Sequence, residues 1–375
     1  RRPHPLLRRR LAHRRGLVVL ASMHTPMNTE LINALVWTGN AHFELVAFPL
    51  PYLADGETLV RLTTATICGS DRHTVSGRRS QPCPSVLGHE GVGIVQATNN
   101  PSLAAGQRVT FSVTAPCMGC DRCRAGRTAK CRRVMKTGHE LFDGSWPLSG
   151  TYATHILLRA NQPVAVVPAA LGDVPASIAS CAGSTVMAAL DAACPSIDSL
   201  KEKRVLVVGL GMLGLLAVEA ALRAGAAVTA TDPNSQRRRY AAQLGACTSG
   251  CSDFDPASDI AENFDVALEF SGSPHGVITC LKSLDISGVA VLAGSVADSP
   301  AIDLDPEWIV RGWRTVTGVH NYEPHHLERA IDLLAGSRID WQAVTDGPIT
   351  LAQVPQAFHG SVGEGMRTVV DLSES

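Results

Sequence analysis

Apolar and polar residues follow two different periods along this chain. From residue 31 to 60 they alternate, with Pro and Gly between the runs, which predicts short antiparallel strands. Beyond residue 204, apolar runs of strand length alternate with segments of helical period, which predicts a parallel sheet. Near Gly318 the pattern changes again. The sequence therefore predicts a parallel α/β unit between two parts of an antiparallel β unit.

The clearest strand–helix–strand pattern runs from Val205 to Asp232. A β-branched run ends at Gly209, and Gly211 and Gly214 complete a G-x-G-x-x-G before an apolar helix. This fingerprint, followed by an acid about 20 residues later, indicates dinucleotide binding. The first glycine allows a tight turn, the second lets the backbone approach a pyrophosphate, and the third lets helix and strand pack closely. A glycine-rich turn without a nucleotide is the structural alternative.

The acid that ends the second strand bears on the choice of cofactor. Asp232 would accept hydrogen bonds from a ribose 2′-hydroxyl and would repel a 2′-phosphate, which favours NAD over NADP. Arg237 and Arg238 follow closely and leave NADP open.

Composition sets the broad class of the protein. The 375 residues, 45% hydrophobic and 18% charged, are enough for two domains with substantial cores. No apolar run approaches the about 20 residues of a membrane span, so we expect no membrane partner. Residues 1–22 carry seven Arg and no acid. The remainder has 26 basic and 34 acidic residues, which argues against nucleic-acid binding.

The Arg-rich start and the cysteines bear on localisation. We expect residues 1–28 to form a disordered extension, with a targeting or nucleic-acid-binding arm as the alternative. Eleven Cys without a secretion signal indicate reduced thiols, metal ligation and a cytoplasmic location.

Four of these cysteines form a compact motif. They are Cys117, Cys120, Cys123 and Cys131, separated by two, two and seven residues. Four thiolates suit a tetrahedral zinc ion and leave no open position, so this site is predicted to be structural. An iron–sulfur cluster or unligated cysteines are the alternatives.

Several further motifs carry a family resemblance. Cys68–His73 reads CGSDRH and is predicted to form a tight turn; residues 88–93 read GHEGVG, 181–185 CAGST and 365–370 GMRTVV. With the four-Cys lobe and the glycine fingerprint, these motifs occur in the order found in zinc-dependent medium-chain alcohol dehydrogenases. The chain resembles that family over residues 31–373.

The resemblance implies an α/β two-domain fold. A GroES-like antiparallel β catalytic domain, built from both ends of the chain, would carry an inserted Rossmann domain with a doubly wound parallel sheet. We place the first catalytic part at 29–180 with the zinc lobe at 116–132, the Rossmann domain at 181–317, and the closing catalytic part at 318–375.

The resemblance also implies roles for individual residues. A catalytic zinc would be held by Cys68, His89 and Cys181, with a fourth position left for water or substrate. Glu90 would lie beside the metal, and Asp71 would accept the free N–H of His89.

Four more residues receive roles through the same resemblance. Ser70 would take the proton of the alcohol, and His73 would pass it through the cofactor ribose to solvent. Thr185 would lie near the nicotinamide, and Arg367 at the pyrophosphate.

Together these assignments imply an alcohol dehydrogenase with two Zn²⁺ per subunit and NAD. It would interconvert a small alcohol and its aldehyde or ketone, as a homo-oligomer, either dimer or tetramer. There are three alternatives: a polyol or amino-alcohol dehydrogenase, a zinc-free reductase of the same superfamily, and a non-enzymatic protein that binds zinc and a nucleotide.

A narrower resemblance concerns the substrate. Four stretches of the chain resemble a subgroup associated with phosphonate catabolism. They are CGSDRHTVSGRRS, KTGHELFDGSWPLSG, VALEFSGSP and LDPEWIVRGWRTVTGVHNYEP. A phosphonate needs cations near the zinc, and Arg72, Arg78 and Arg79 are candidates, with solvated surface arginines as the alternative. Two departures from the family, Gln107 and the stretch 98–100, remove no proposed catalytic group.

Overall fold

The computed structural model describes residues 31–194, 196–250, 263–359 and 365–373; the extension predicted over residues 1–28 lies outside these ranges. In chain order the strands are β1 (Leu31–Gly39), β2 (His42–Pro49), β3 (Thr58–Ile67), β4 (Ser85–Val86), β5 (Glu90–Thr98), β6 (Arg108–Phe111), β7 (Thr114–Ala115), β8 (Met135–Lys136), β9 (His155–Leu158), β10 (Val164–Val166), β11 (Arg204–Val208), β12 (Ala227–Thr231), β13 (Cys247–Ser249), β14 (Phe264–Glu269), β15 (Leu284–Leu292), β16 (Thr315–Gly318), β17 (Thr345–Thr350) and β18 (Arg367–Asp371).

The helices follow in the same order. They are α1 (Gly69–Val75), α2 (Asp121–Arg124), α3 (Asp173–Ile178), α4 (Ser184–Ala193), α5 (Met212–Arg223), α6 (Ser235–Leu244), α7 (Pro274–Lys282), α8 (Pro306–Gly312), α9 (Pro324–Ala335), α10 (Trp341–Val344) and α11 (Val354–His359). A π-helical turn, Ala179–Gly183, joins α3 to α4.

The parallel sheet predicted from the strand–helix alternation is present. Its strands lie in the order β13-β12-β11-β14-β15-β16, and each neighbouring pair is parallel. Counted within the sheet this is the 3-2-1-4-5-6 order of a doubly wound Rossmann fold. Strand β11 is buried from Val205 to Val208, as expected of a central strand covered on both faces. The Rossmann part of the predicted fold is confirmed.

Sheets that are antiparallel except for the parallel β17–β18 pair make up the other part of the molecule. Strands β1 and β2 form an antiparallel hairpin, and a larger sheet has the order β10-β6-β5-β3-β18-β17 with β9 paired to β3. Strand β18 lies antiparallel to β3, with Thr368 opposite Ile67. Both ends of the described chain therefore contribute to one sheet, as the GroES-like prediction requires.

The tight turn predicted at Cys68–His73 is wrong, because these residues begin helix α1. Cys68 is the N-cap residue, and its backbone N–H donates to the Asp71 carboxylate at 3.0 Å. A carboxylate at the third helical position satisfies an N–H group that would otherwise lack a partner at the start of the helix. The polar residues of this segment therefore stabilise a helix start.

The segment from α3 to α4 is the central helix of the largest apolar core. Asp173–Ala193 has the length and hydropathy of a membrane span, which the sequence analysis did not anticipate, but 78% of the apolar window is buried within the protein. Helix α9 packs against α4 and the π-helical turn, and Leu327 and Ala330 belong to the same core as Met187. The domain boundaries at 180 and 318 stay predictions.

Candidate functional site

Three side chains with metal-binding atoms meet where β3 ends and β5 begins. Cys68 follows β3, His89 precedes β5, and Cys181 lies in the π-helical turn. Their ligand atoms all lie within 4.8 Å of one another. Two thiols and one imidazole suit a zinc ion and leave a fourth position open. The structure thus brings together the three residues predicted to hold the catalytic zinc, and their chemistry fits that ion.

Local backbone geometry explains how His89 reaches this position. The preceding Gly88 has φ +88°, and a Cβ there would lie 2.3 Å from Thr151 Oγ1. Only glycine avoids both the strain and the clash. Cys181 lies within a π-helical turn, an irregularity frequent at functional sites.

Asp71 lies behind the cluster and is 4% exposed. Its Oδ2 accepts from the Cys68 N–H and the Tyr152 hydroxyl, both at 3.0 Å, and its Oδ1 lies 3.3 Å from His89 Nδ1. The last contact does not have the geometry of a hydrogen bond. Burial opposes a charged imidazole, but the Asp71 carboxylate and Cys68 outweigh it and raise the pKa of His89. The arrangement leaves Nε2 as the ligand atom, 3.3 Å from Ser70 Oγ.

Cys68 and Cys181 differ in how readily each thiol loses its proton. A hydrogen bond from Cys181, together with the positive charges of Arg367 and His89, holds the pKa of Cys68 well below its ordinary value despite burial. The same hydrogen bond, with burial, raises the pKa of Cys181. Cys68 is therefore the more acidic of the two thiols.

Glu90 and Arg367 form a buried ion pair beside the cluster. Glu90 is 0% exposed, and its oxygens accept from Arg367 Nε at 2.7 Å and Nη2 at 3.0 Å. The Thr66 hydroxyl also donates to Glu90, at 2.7 Å. Glu90 is held by the Arg367 fork, and its predicted place beside a bound metal stays a prediction. A pyrophosphate contact of Arg367 stays a prediction.

One cavity of about 250 Å³ connects this cluster to the glycine turn. Predicted site residues that line it are Cys68, Ser70, His73, His89, Cys181, Thr185, Gly211, Gly214 and Arg367. Gly211 and Ser271 lie at the carboxyl ends of β11 and β14, where the strand order of the sheet reverses. Ligands of doubly wound sheets bind at this place.

The glycine turn has the shape that a dinucleotide requires. Gly209 has φ +90°, and a Cβ on Gly214 would lie 1.9 Å from Gly209 O, which demands glycine at both positions. A Cβ on Gly211 would meet nothing within 4 Å, so the cavity is open at that point. Gly211 also caps the N-terminus of α5, where unpaired N–H groups favour phosphate. The residues present fit a dinucleotide.

Asp232 lies at the end of β12 and is 4% exposed. Its carboxylate accepts from Leu210 N–H at 2.7 Å and from Asn234 N–H at 2.8 Å. Arg237 Nη1 lies 3.8 Å from Asp232 Oδ2, and Arg238 donates to the Asp232 carbonyl at 2.6 Å. The two arginines noted in the sequence therefore both contact this acid.

The sulfur atoms of the four lobe cysteines also lie within 4.8 Å of one another. These residues are Cys117, Cys120, Cys123 and Cys131. Sγ of Cys120 is 3.5 Å from that of Cys123 and 3.9 Å from that of Cys131. Tetrahedral zinc with 2.3 Å bonds separates its sulfur ligands by about 3.8 Å. Burial and the neighbouring thiols raise the pKa of Cys123 to about 12, so four thiolates require a bound cation. This set fits a structural zinc.

The sequence analysis missed several polar residues of the cavity. Lys136, His139 and His320 line it together with Arg79. Arg72 instead donates to the Ala357 carbonyl at 2.8 Å and to Thr368 Oγ1 at 3.1 Å, away from the cavity lining. A Lys or His in a loop carries no local signal of this role, because the chain brings these residues together only on folding.

Two parts of the chain match known protein families. Residues 54–169 match the alcohol dehydrogenase GroES-like domain, and residues 213–336 match the zinc-binding dehydrogenase family.

Two relatives span nearly the whole chain, and both are L-threonine 3-dehydrogenases. The protein from Aeromonas salmonicida is 30% identical over 338 residues, which cover 87% of this chain and 94% of the relative. The protein from Chromobacterium violaceum is 27% identical over 342 residues, covering 88% and 96%.

Solved structures share the fold. An alcohol dehydrogenase from Thermotoga maritima superposes with a TM-score of 0.82 at 23% identity, covering 91% of this chain and 99% of that one. A zinc-binding dehydrogenase from Sinorhizobium meliloti, solved with NADP, has a TM-score of 0.80 at 24% identity, covering 92% and 100%.

Proposed function

The chain belongs to the zinc-dependent medium-chain dehydrogenase/reductase family, and on that premise we propose that it oxidises a small alcohol with NAD. Members of this class are NAD(P)-dependent oxidoreductases that act on CH–OH groups. The observation that carries the proposal is the single cavity that joins Cys68, His89 and Cys181 to the glycine turn. Metal ligands and a dinucleotide turn in one cavity suit hydride exchange between a bound alcohol and a cofactor.

In this proposal Cys68, His89 and Cys181 hold the catalytic zinc, and the lobe cysteines hold a second zinc. The bound catalytic ion supplies a Lewis acid that lowers the pKa of the alcohol. Ser70 Oγ, which lies 3.3 Å from His89 Nε2, accepts the hydroxyl proton. His73 lines the same cavity and passes the proton on; burial and the charge of Arg78 lower its pKa, so it is neutral at pH 7.

The cofactor would lie between the glycine turn and the metal ligands. The N-terminus of α5 binds the pyrophosphate, and Thr185 contacts the nicotinamide end of the cofactor. Asp232 binds the ribose and favours NAD, because its carboxylate repels a 2′-phosphate. Arg237 and Arg238 are the observation that supports NADP as the alternative.

The substrate proposed is a small secondary or functionalised primary alcohol, including a phosphonate-bearing one. The L-threonine 3-dehydrogenases that the chain resembles suggest an amino alcohol as the alternative, and a polyol is the other alternative. Among the described residues that line the cavity there is no Asp or Glu, so the ammonium group of an amino alcohol meets no carboxylate there. This favours the first candidate.

A screen for NADH formation tests the proposal. Neutral alcohols, hydroxy acids, hydroxyalkylphosphonates, polyols and L-threonine are offered to the zinc-loaded protein with NAD or NADP. We expect oxidation of at least one small alcohol with NAD. Absence of reduced cofactor with every class would refute the proposal, and exclusive use of L-threonine or a polyol would favour the alternative.

We further propose a cytoplasmic homo-oligomer that associates at β16. In the described part of the chain this strand pairs on one side only, with β15. Exposed apolar side chains flank it: Val310 is 70% and Trp313 79% exposed. An unpaired edge beside an apolar patch favours association with a second copy.

A further inference from the structure

Four basic residues converge at the metal end of the cavity. Arg79 follows α1, Lys136 lies in β8, His320 follows β16, and Lys130 lies within the zinc lobe. Arg79, Lys136 and His320 line the cavity, and Lys130 Nζ lies 3.1 Å from His320 Nδ1. Three distant parts of the chain thus place positive or hydrogen-bond-donating groups together.

His139 shows that this cluster faces the metal ligands. Its ring lies 5.6 Å from that of His89, and it follows Lys136 by three residues. Arg79 and His139 line the same cavity as His89, so the basic residues and the metal ligands face one space.

The cations of the cluster have no carboxylate partner. Among the described residues, no acid comes within 4.0 Å of the charged groups of Arg79, Lys130 or Lys136. The nearby acids are Glu140, which accepts from the Lys136 backbone N–H at 2.8 Å, and the exposed Asp298 of an adjoining groove. Burial and the charges of Arg79 and Lys130 lower the pKa of Lys136, and the charge of Glu140 offsets only part of this effect. Like charges gathered without a paired acid are unfavourable unless an anion binds.

His320 adds a neutral donor. Burial and the charges of Lys136, Lys130 and Arg79 lower its pKa to about 4, so it is uncharged at pH 7. The Lys130 ammonium can only donate, so Nδ1 of His320 accepts and Nε2 carries the proton. Arg79, Lys136 and His320 together thus offer a guanidinium fork, an ammonium and an N–H group to one anion.

We infer that the alcohol oxidised here carries an anionic group, a phosphonate, phosphate ester or carboxylate, which binds Arg79, Lys136 and His320. The inference rests on the proposed function, since it names the substrate class of the same cavity. The structure selects Arg79 from the arginines considered in the sequence, because Arg72 is held elsewhere and Arg78 lines only the adjoining groove.

Kinetics on matched substrates test the inference. A hydroxyalkylphosphonate, a hydroxy acid and a neutral secondary alcohol of equal chain length are compared in the wild type, Arg79→Gln and Lys136→Gln. Each substitution should raise KM for the anionic alcohols about 10- to 100-fold, the range of a charge-assisted hydrogen bond, and leave KM for the neutral alcohol within about twofold. Arg61→Gln, which removes an exposed arginine of β3, serves as the control and should change neither.

A binding measurement separates this inference from the proposed function. Calorimetry of the zinc-loaded protein with NADH should show binding of methylphosphonate and inorganic phosphate, weaker binding of acetate, and about 10-fold loss in Arg79→Gln. Equal effects of the substitutions on charged and neutral alcohols, or a rise in KM for NAD alone, would overturn the inference. Anion binding without oxidation of any alcohol would refute the proposed function and leave the anion site standing.

Discussion

At the scale of single residues, the Glu90–Arg367 pair links the two ends of the described chain beside the metal ligands. The partners lie 277 residues apart in the sequence and both are buried. The guanidinium binds both oxygens of Glu90, and Arg367 is the first residue of β18, which pairs with β3 in the large sheet. The pair therefore couples the position of the final strand to the cavity.

Removal of one partner should be strongly destabilising. Arg367→Met leaves the Glu90 carboxylate, 0% exposed, without its counterion, and we expect a loss of about 3–5 kcal/mol in the free energy of unfolding. Urea unfolding of the zinc-loaded protein measures it. The double variant Glu90→Gln/Arg367→Met serves as the control and should recover much of the loss. A single-variant loss below about 1 kcal/mol would show that the pair behaves like an exposed ion pair.

Sequence reasoning worked at this scale where the chemistry is local. The spacing of the four lobe cysteines identifies them as a metal site, whereas the family motifs identify Cys68, His89 and Cys181. The structure gathers each of these two sets. Other features depend on contacts between distant segments. These are the ion-pair partner of Arg367, the hydrogen bond from the Tyr152 hydroxyl to Asp71, and the convergence of Arg79, Lys136 and His320. No local pattern encodes such contacts.

At the scale of elements, the zinc lobe supports the wall of the cavity. No described residue from 117 to 134 belongs to a hydrophobic cluster, so metal ligation must supply the lobe's stability. The Glu323 carboxylate accepts from the backbone N–H groups of Thr128 and Ala129, each at 3.0 Å. Asn321 donates to the Ala129 carbonyl at 3.2 Å. The lobe thus holds the segment that carries His320.

Loss of the lobe zinc should therefore affect the lobe first and the cavity second. We expect Cys123→Ser to contain one zinc per chain in place of two, and to be cleaved by protease between residues 117 and 134. Metal analysis and limited proteolysis measure these effects. Cys83→Ser, at an exposed cysteine outside both clusters, should match the wild type. Unchanged zinc content in Cys123→Ser would contradict the assignment.

The elements themselves were largely predictable. The strand predicted before Gly209 is β11, and the apolar helix predicted with the glycine fingerprint is α5. The error at Cys68–His73 has a physical reason. Polar residues that suggest a turn also cap a helix, and only the hydrogen bond from Cys68 N–H to Asp71 distinguishes the two.

At the scale of the whole molecule, the exposed edge at β16 should determine the oligomeric state. Val310→Lys places a charge beside this edge and should lower the mass measured by light scattering to that of one chain. Leu45→Lys, at another exposed apolar residue, 60% exposed on β2, should leave the mass unchanged. A single-chain mass for the wild type would refute the homo-oligomer, and an unchanged oligomer in Val310→Lys would place the interface elsewhere.

The architecture was the most predictable property, because both periodicities and several ordered motifs point to one two-domain fold. The substrate was the least predictable property. It depends on which side chains face the cavity, and those of Arg79, Lys136 and His320 are brought together only when the chain folds.

The central claim is that Cys68, His89 and Cys181 hold a zinc ion that alcohol oxidation requires. Zinc content and NADH formation, measured together in the wild type and Cys68→Ser, test it most directly. We predict two zinc ions per chain with NADH formation in the wild type, and one zinc ion without NADH formation in a Cys68→Ser protein whose lobe zinc is retained. NADH formation by Cys68→Ser at the wild-type rate, or a single zinc ion in the active wild type, would contradict it.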